Sequence, residues 1–437
     1  MAAREIITCS SHPQSASVLV ASDYTRPLAV VTTLFFMWGF LTCLNDILVP
    51  HLKSIFDLSY ARVMLVQFAF FSAYFLFSVP WSRIVNMIGY QRTMVVGLLT
   101  MALGSFLFLP AASAASYRLF LTALLILAAG ITGLQVAANP YVVVLGKPET
   151  GSSRLNLTQA FNSLGTTIAP KVGGLLILSA APLAIGEFQR LSPQALHSYR
   201  IQQAASVRMP YTVIGVTLVL LAILIGTFKL PKIETAACRP GQKVNDSIWK
   251  HPSLVLAAVG IFAYVGAEVS IGSFLVNYFE SPEIAGFSAK TAAGFVSFYW
   301  GGAMVGRFLG AGLLRQFKPR NLLAMCAVFA TTLVISSMVL SGHAAMWAIL
   351  AVGLFNSIMF PTIFSLGVAE LGPLTGNGSG ILNMAIVGGA ILPVIQGVIA
   401  DRVGIHHAFV LPVICYLYIL HFGLSGSKPN SERYAKA

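Results

Sequence analysis

Apolar stretches about as long as a membrane is thick recur along this chain, each closed by a polar interval. They lie near residues 28–50, 61–85, 93–113, 117–145, 155–180 and 209–229, then near 252–279, 290–314, 321–341, 343–369, 377–400 and 405–426. About 20 mostly apolar residues let a helix cross the hydrocarbon core, so each stretch predicts a transmembrane helix. Between the two sets runs LPKIETAACRPGQKVNDSIWKH, Leu230–His251, a long polar interval rich in Pro, Gly and Lys. The expected architecture is an all-α membrane protein with twelve transmembrane helices in two pseudo-symmetric six-helix bundles. The bundles occupy 27–230 and 252–427, joined by a linker at 231–251 and flanked by tails at 1–26 and 428–437.

The two halves look repeated. The fourth stretch carries GLQVAANPYVVVLG and the tenth GLFNSIMFPTIFSLG, so Gln135 and Pro140 match Asn356 and Pro361 at the same interval. In the fifth, Gly165 and Pro170 match Gly388 and Pro393 of the eleventh. Loops after the second and eighth stretches, SRIVNMIGYQR and GAGLLRQFKPR, both close on an Arg.

Composition agrees with the pattern: 57% of the 437 residues are hydrophobic and only 9% are charged, for a mean hydropathy of +0.80, far from the soluble range. The net charge of +13 raises nucleic acid as a partner, but its distribution answers otherwise. With both termini inside, seventeen of the 27 Lys and Arg fall on inner segments and eight on outer loops, as the positive-inside rule requires. Lys171 and Arg307 fall within stretches. The excess is topological, and no nucleic-acid partner is expected. The first 26 residues lack the basic and apolar regions of a secretory signal, so the first helix is expected to stay in the mature protein. Five scattered cysteines, Cys9, Cys43, Cys238, Cys326 and Cys415, predict neither disulfides nor a metal site. The eight histidines sit mostly in loops or at span ends, which argues against a membrane enzyme.

Candidate chemistry lies in the polar residues inside the stretches. Asp46 sits in LAVVTTLFFMWGFLTCLNDILVP, where a carboxylate costs roughly 2.5 to 3.5 kcal/mol and marks an ion, proton or substrate path unless it reaches headgroup water. Trp38, Thr42, Asn45 and Asp46 recur on one helical face. Gln135 and Asn139 are four apart, Gln159 and Asn162 three apart; Tyr264 precedes Glu268 by four; Asn356, Asn383 and Gln396 add further amides. An amide both donates and accepts, as does every hydroxyl of a sugar, so convergent Asn and Gln side chains suit a polyhydroxyl ligand. Trp38, Tyr264, Tyr299 and Trp300 could cover the apolar face of a pyranose. The competing reading makes the amides interhelical hydrogen bonds and the aromatics packing.

The stretches LNDILVPHL, QVAANPYVVVLGKPE, RLNLTQAFNSLGTTIAP, YVGAEVSIGSFLVNY, GLFNSIMFPTIFSLG and IVGGAILPVIQGVIAD resemble the fucose, galactose and glucose permease family of the major facilitator superfamily. Within it, the likeness is greater to bacterial glucose/galactose transporters than to L-fucose permeases. The resemblance covers about 28–427 and implies two six-helix domains, alternating access about a central site, and hexose uptake by cation symport. It implies a monomer in the bacterial inner membrane with both termini cytoplasmic and no cofactor. Carried over, it implies coupling at Asp46 beside Asn45, and a sugar site at Gln159 and Asn162. Trp38, Gln135, Asn139, Tyr264, Glu268 and Asn356 complete the candidate substrate site. One departure matters: fucose permeases carry a Glu where this chain has Gln135, which cannot titrate. Glu268 could take over that role opposite Asp46, or serve as a sugar ligand. The coupling ion is a proton or, since carboxylate and amide oxygens suit hard cations, sodium. A passive uniporter and an L-fucose transporter are the rival functions. For the inner gate the resemblance suggests Asn86, Gly89 and Arg92, with Asn86 where an Asp is usual. Arg307 either pairs with a carboxylate such as Glu370 or snorkels to the headgroups.

Overall fold

The computed structural model describes residues 24–56, 60–177, 192–231, 248–369 and 371–427, and among these every regular element is helical. In the first half these are α1 (Thr25–Phe56), α2 (Tyr60–Ile88), α3 (Tyr90–Ser113), α4 (Tyr117–Val144), α5 (Gly151–Ile177), α6 (Pro193–Ala205) and α7 (Arg208–Thr227). The second half holds α8 (Pro252–Glu280), α9 (Ala289–Leu313), α10 (Pro319–Val339), α11 (Gly342–Asn356), α12 (Met359–Val368), α13 (Thr375–Met384), α14 (Gly388–Val403), α15 (Ile405–Ala408) and α16 (Val410–His421).

Local chemistry sets many boundaries. Pro193, Pro252 and Pro319 each open a helix, where the missing N–H is no loss. Ser192 and Ser288 cap α6 and α9 by accepting from Ala195 N and Thr291 N. Gly89, at φ +82°, makes the tight turn from α2 into α3. Buried Arg154 finishes α4: its guanidinium donates to the carbonyls of Val142, Val143 and Lys147. The first two are carbonyls that a helix C-terminus leaves without partners.

Ten helical stretches among the described residues are long and apolar enough to cross a membrane. The fifth and eighth predicted stretches do form helices, α5 and α9, but neither meets that standard. Their polar residues lower the apolar content, and packing shows where those residues go. α5 buries Ser152, Ser153, Asn156, Thr158, Gln159, Asn162 and Ser163, several of them against α9, so protein rather than lipid surrounds their polar atoms. The tenth stretch breaks at Ser357–Ile358 into α11 and α12, and the eleventh breaks at Ala385–Val387 into α13 and α14. Broken helices are tolerated in membranes where protein covers the freed backbone.

Close approach of backbones fixes the helices around the interior. A Cβ on Gly165 of α5 would lie 2.3 Å from the Phe36 carbonyl oxygen of α1. A Cβ on Gly388 of α14 would lie 2.1 Å from the Phe262 carbonyl oxygen of α8. These are the two glycines that the sequence repeat paired. The outer flanks carry large apolar side chains in the open, among them Met87, Leu220, Val339 and Val394, as a lipid-facing surface does.

Candidate functional site

The first-half part of the site is built on α5. Gln159, Asn162 and Ser163 are all buried, and Ser163 donates to the Gln159 carbonyl at 3.3 Å. Asn162 Nδ2 donates to the Phe35 carbonyl of α1 at 2.9 Å, and its backbone leaves no room for a side chain at Gly39. Trp38 stacks at a tilt on Phe35 with ring centroids 4.2 Å apart. Asn162 therefore joins the two helices. On α4, Gln135 Nε2 donates to Tyr74 Oη of α2 at 2.7 Å, and Asn139 is fully buried with neither amide atom paired. Asn45 and Asp46 belong to α1, but their side chains lie outside the described residues, as does Glu370.

Across the molecule, Tyr264 Oη donates to Glu268 Oε1 at 2.7 Å, and Arg307 Nη2 of α9 lies 3.8 Å from the same oxygen. Arg307 Nε donates to the Ser357 carbonyl at 3.3 Å. That oxygen is free because Pro361, four residues on, has no N–H to offer it. The third nitrogen, Nη1, donates to Ser163 Oγ of α5. Asn356 Nδ2 donates to Tyr299 Oη at 2.7 Å, and Tyr299 Oη reaches the Glu268 carbonyl at 3.4 Å.

A chain of polar contacts runs from Ser163 through Arg307 to Glu268 and Tyr264. It links α5 to the Tyr264 and Glu268 pair; Gln159 and Asn162 sit beside Ser163 on α5 and Asn162 ties α5 to α1 near Trp38, while Gln135, Asn139 and Asn356 stay inside their own halves. Two expectations need correction. Arg307 does not snorkel; its side chain is 13% exposed and paired with Glu268, 12% exposed. Tyr264 and Tyr299 offer no ring face to a ligand in this conformation, since both are fully enclosed and act through their hydroxyls. Trp300 is the exposed aromatic of that set.

Toward the end bearing the basic loops, the halves are closed by uncharged contacts. Ser152 Oγ meets Ser365 Oγ at 2.5 Å, Ser153 Oγ donates to the Ala311 carbonyl at 2.6 Å, and Asn156 Nδ2 to the Arg307 carbonyl at 2.6 Å. Asn86 Nδ2 donates to Asn377 Oδ1. Ser379 Oγ donates to the Val136 carbonyl at 2.8 Å, an oxygen that Pro140 frees in α4 as Pro361 frees Ser357. Arg92 is exposed at the start of α3. Gln91 ties the same turn to α7 through the Ile225 and Phe228 carbonyls, both at 2.8 Å.

Two apolar grooves open on the flanks. One, of about 540 Å³, lies among α1, α5 and α7 with Phe36 and Phe161 on its walls. The other, of about 890 Å³, lies among α2, α4 and α14 with Phe75 and Ile391. Neither is lined by any candidate site residue.

Sequence reasoning missed Ser163, Tyr74, Asn156, Ser357 and Ser379. Ser163 was within reach of it, being four residues after Gln159 and therefore on the same face. A serine in a membrane helix carries little signal, however, since it can bond its own backbone.

The chain matches the model of the Major Facilitator Superfamily over residues 30–393. It is 51% identical to the glucose/galactose transporter of Brucella abortus over 96% of this chain and 98% of that one. To the L-fucose-proton symporter of Escherichia coli K12 it is 36% identical, over 92% and 93%. A crystal structure of the E. coli fucose:proton symporter superposes with a TM-score of 0.85 at 34% identity, covering 93% of this chain and 100% of that one. A crystal structure described as the fucose transporter in the outward conformation superposes at 0.84, with 35% identity and coverage of 93% and 100%. The chain belongs to the Major Facilitator Superfamily and is a membrane-embedded sugar transporter, not an enzyme.

Proposed function

We propose that this superfamily member imports glucose or galactose by proton symport through alternating access, across a bacterial inner membrane with both termini cytoplasmic. The observation that carries the reading is the polar chain from Ser163, beside Asn162 on α5, through Arg307 to Glu268. It joins two halves of a membrane protein at a depth where unpaired charge is expensive. Buried amides and a carboxylate on both sides of one seam supply the mixed donors and acceptors that sugar hydroxyls need. The name of the Brucella relative favours glucose and galactose, and the E. coli relative's name favours the proton.

Twelve transmembrane helices follow when α5 and α9 are counted as crossings covered by protein. The matched glycine contacts of Gly165 and Gly388 support two pseudo-symmetric bundles. The seam at the basic-loop end is then the cytoplasmic gate, closed in this structure, with Asn86 on its Asn377 partner and Arg307 on Ser163. In that arrangement the site is reached from outside, in keeping with the likeness to the outward conformation. Asp46 and Glu268 are the proposed coupling carboxylates. Passive uniport is the second reading, favoured by Gln135, which holds Tyr74 and cannot titrate.

Uptake of labelled glucose, galactose, mannose and fucose into proteoliposomes, with imposed proton or sodium gradients, tests both. Accumulation of glucose or galactose above the external level on a proton gradient is the expected result. Equilibration without accumulation supports uniport, and indifference to both sugars refutes the substrate assignment.

A further inference from the structure

We propose that the larger flank groove binds an anionic phospholipid of the outer leaflet, whose acyl chain lies between the halves and favours the state with the inner seam closed; this rests on the transport function above. The groove is walled by α2 and α4 of one half and by α14 of the other. From Phe68 to Leu76 on α2, and from Val387 to Ile395 on α14, it runs about 12 Å along the helices. That is close to the depth of one leaflet in a hydrocarbon core about 30 Å thick. Its lining is apolar apart from Ser72 and Thr122, and Thr122 gives its hydroxyl to the Arg118 carbonyl at 3.0 Å. Phe68, Phe75, Leu76 and Val394 are each more than half exposed there. A trough of this length, apolar and open on the lipid-facing flank, suits a hydrocarbon chain. Leu121, Thr122 and Leu125 lie in the first third of α4, toward the end opposite the basic loops, which places the groove in the outer leaflet.

The headgroup assignment follows from charge. The charged side chains of α4 and α14 are Arg118, Asp401 and Arg402, all exposed and all near the ends opposite the basic loops. Arg118 precedes Leu121, Thr122 and Leu125 by three, four and seven residues, so it stands on the same face of α4, just outside the lining. Arg402 follows Ile395 by seven residues, about two turns further out on α14. Arg stems lie along apolar surface and carry their heads to the headgroup layer, where a guanidinium fork takes two phosphate oxygens. Two arginines against one aspartate leave the mouth net positive, which selects phosphatidylglycerol over the neutral phosphatidylcholine. The site also spans the halves. A Cβ on Gly389 of α14 would lie 3.0 Å from the Phe71 ring of α2, so the halves touch behind the groove. Its α14 wall begins at Val387, the last residue of the break in that stretch. In alternating access the outer ends approach as the inner seam parts, and a groove walled by both halves in the outer leaflet narrows. A chain already lying there opposes the approach. The smaller groove, among α1, α5 and α7 of one half, has no such dependence.

Native mass spectrometry of protein released from nanodiscs of equal phosphatidylglycerol and phosphatidylcholine measures binding. The parent should retain phosphatidylglycerol several-fold over phosphatidylcholine. Arg118→Gln with Arg402→Gln, which removes the charge, and Ala390→Phe, which fills the groove, should each lose most of it. Equal retention of the two lipids by the parent, or a preference unchanged in both variants, overturns the site. The second readout is the distance between spin labels on Met87→Cys and Gln316→Cys, exposed at the basic-loop end on opposite halves, in a background with the five native cysteines replaced. Without sugar, adding phosphatidylglycerol to phosphatidylcholine proteoliposomes should lower the open fraction several-fold in the parent and leave it unchanged in the double arginine variant. A shift of equal size in that variant is a general effect of surface charge and overturns the proposal, as does an open fraction that rises or stays constant in the parent. Lipid retention needs no transport, so its failure is distinct from failure of the transport reading.

Discussion

Residues that carry charge into the membrane were the most legible part of this chain, and their partners the least. Glu268 is conspicuous in an apolar run, yet its counter-ion lies 39 positions away on another helix and its link to the other half is a serine. Tyr264 and Tyr299 looked like platforms for a sugar because composition gives an aromatic's identity but not which of its faces is covered; burial assigns them to support instead. The prolines behave differently. Pro140 and Pro361 were readable as a repeat, and their physical consequence, two freed carbonyls, is filled by Ser379 and Arg307. Pro140→Ala should let α4 reclaim the Val136 oxygen and weaken the seam by about 0.5 to 1.5 kcal/mol, the net worth of one hydrogen bond. Distances between spin labels across the seam should show that shift as a larger open fraction. Asn162→Ala removes both the bond to the Phe35 carbonyl and an amide from the site. Sugar binding, measured by isothermal titration or counterflow, should fall by at least tenfold.

Elements followed the apolar pattern closely, and the exceptions have a common cause. Ends and turns were marked by Pro, Ser and Gly, and the described helices fall on the predicted stretches except α6 (Pro193–Ala205), which forms in an interval read as an outer loop. α5 and α9 fall short in apolar composition because of the polar residues they carry, several of which pack between them. A window of hydropathy registers what a helix carries, and packing decides what surrounds it. The breaks at Ser357–Ile358 and Ala385–Val387 were equally hidden, since Gly and Pro in membrane helices are common without a break. Close packing gives a direct test at this scale. Gly165→Ala and Gly388→Ala each place a Cβ within about 2.3 Å of a carbonyl oxygen, an overlap that ordinarily costs about 1 to 3 kcal/mol. Thermal unfolding followed by size-exclusion fluorescence in detergent should show a drop of several degrees for both. Equal drops are expected if the two bundles are repeats, because the glycines then seat corresponding pairs of helices, α5 on α1 and α14 on α8.

At the scale of the whole molecule, the seam between the halves explains more than either half alone. Uncharged contacts close one end, and one guanidinium ties that closure to a buried carboxylate. Such a seam should respond weakly to salt, since neutral hydrogen bonds carry no charge to screen; the open fraction should change less than twofold between low and high ionic strength. The same layout predicts topology: a cysteine at Gln316 should react with an impermeant maleimide only from the cytoplasmic side of intact cells. The most direct test of coupled transport is sugar-elicited proton movement, followed with a pH electrode in lightly buffered, de-energised cells expressing the protein. Adding glucose or galactose should turn the medium alkaline as protons enter with the sugar, and a protonophore should abolish the change. Sugar entry with no alkaline shift would contradict proton symport.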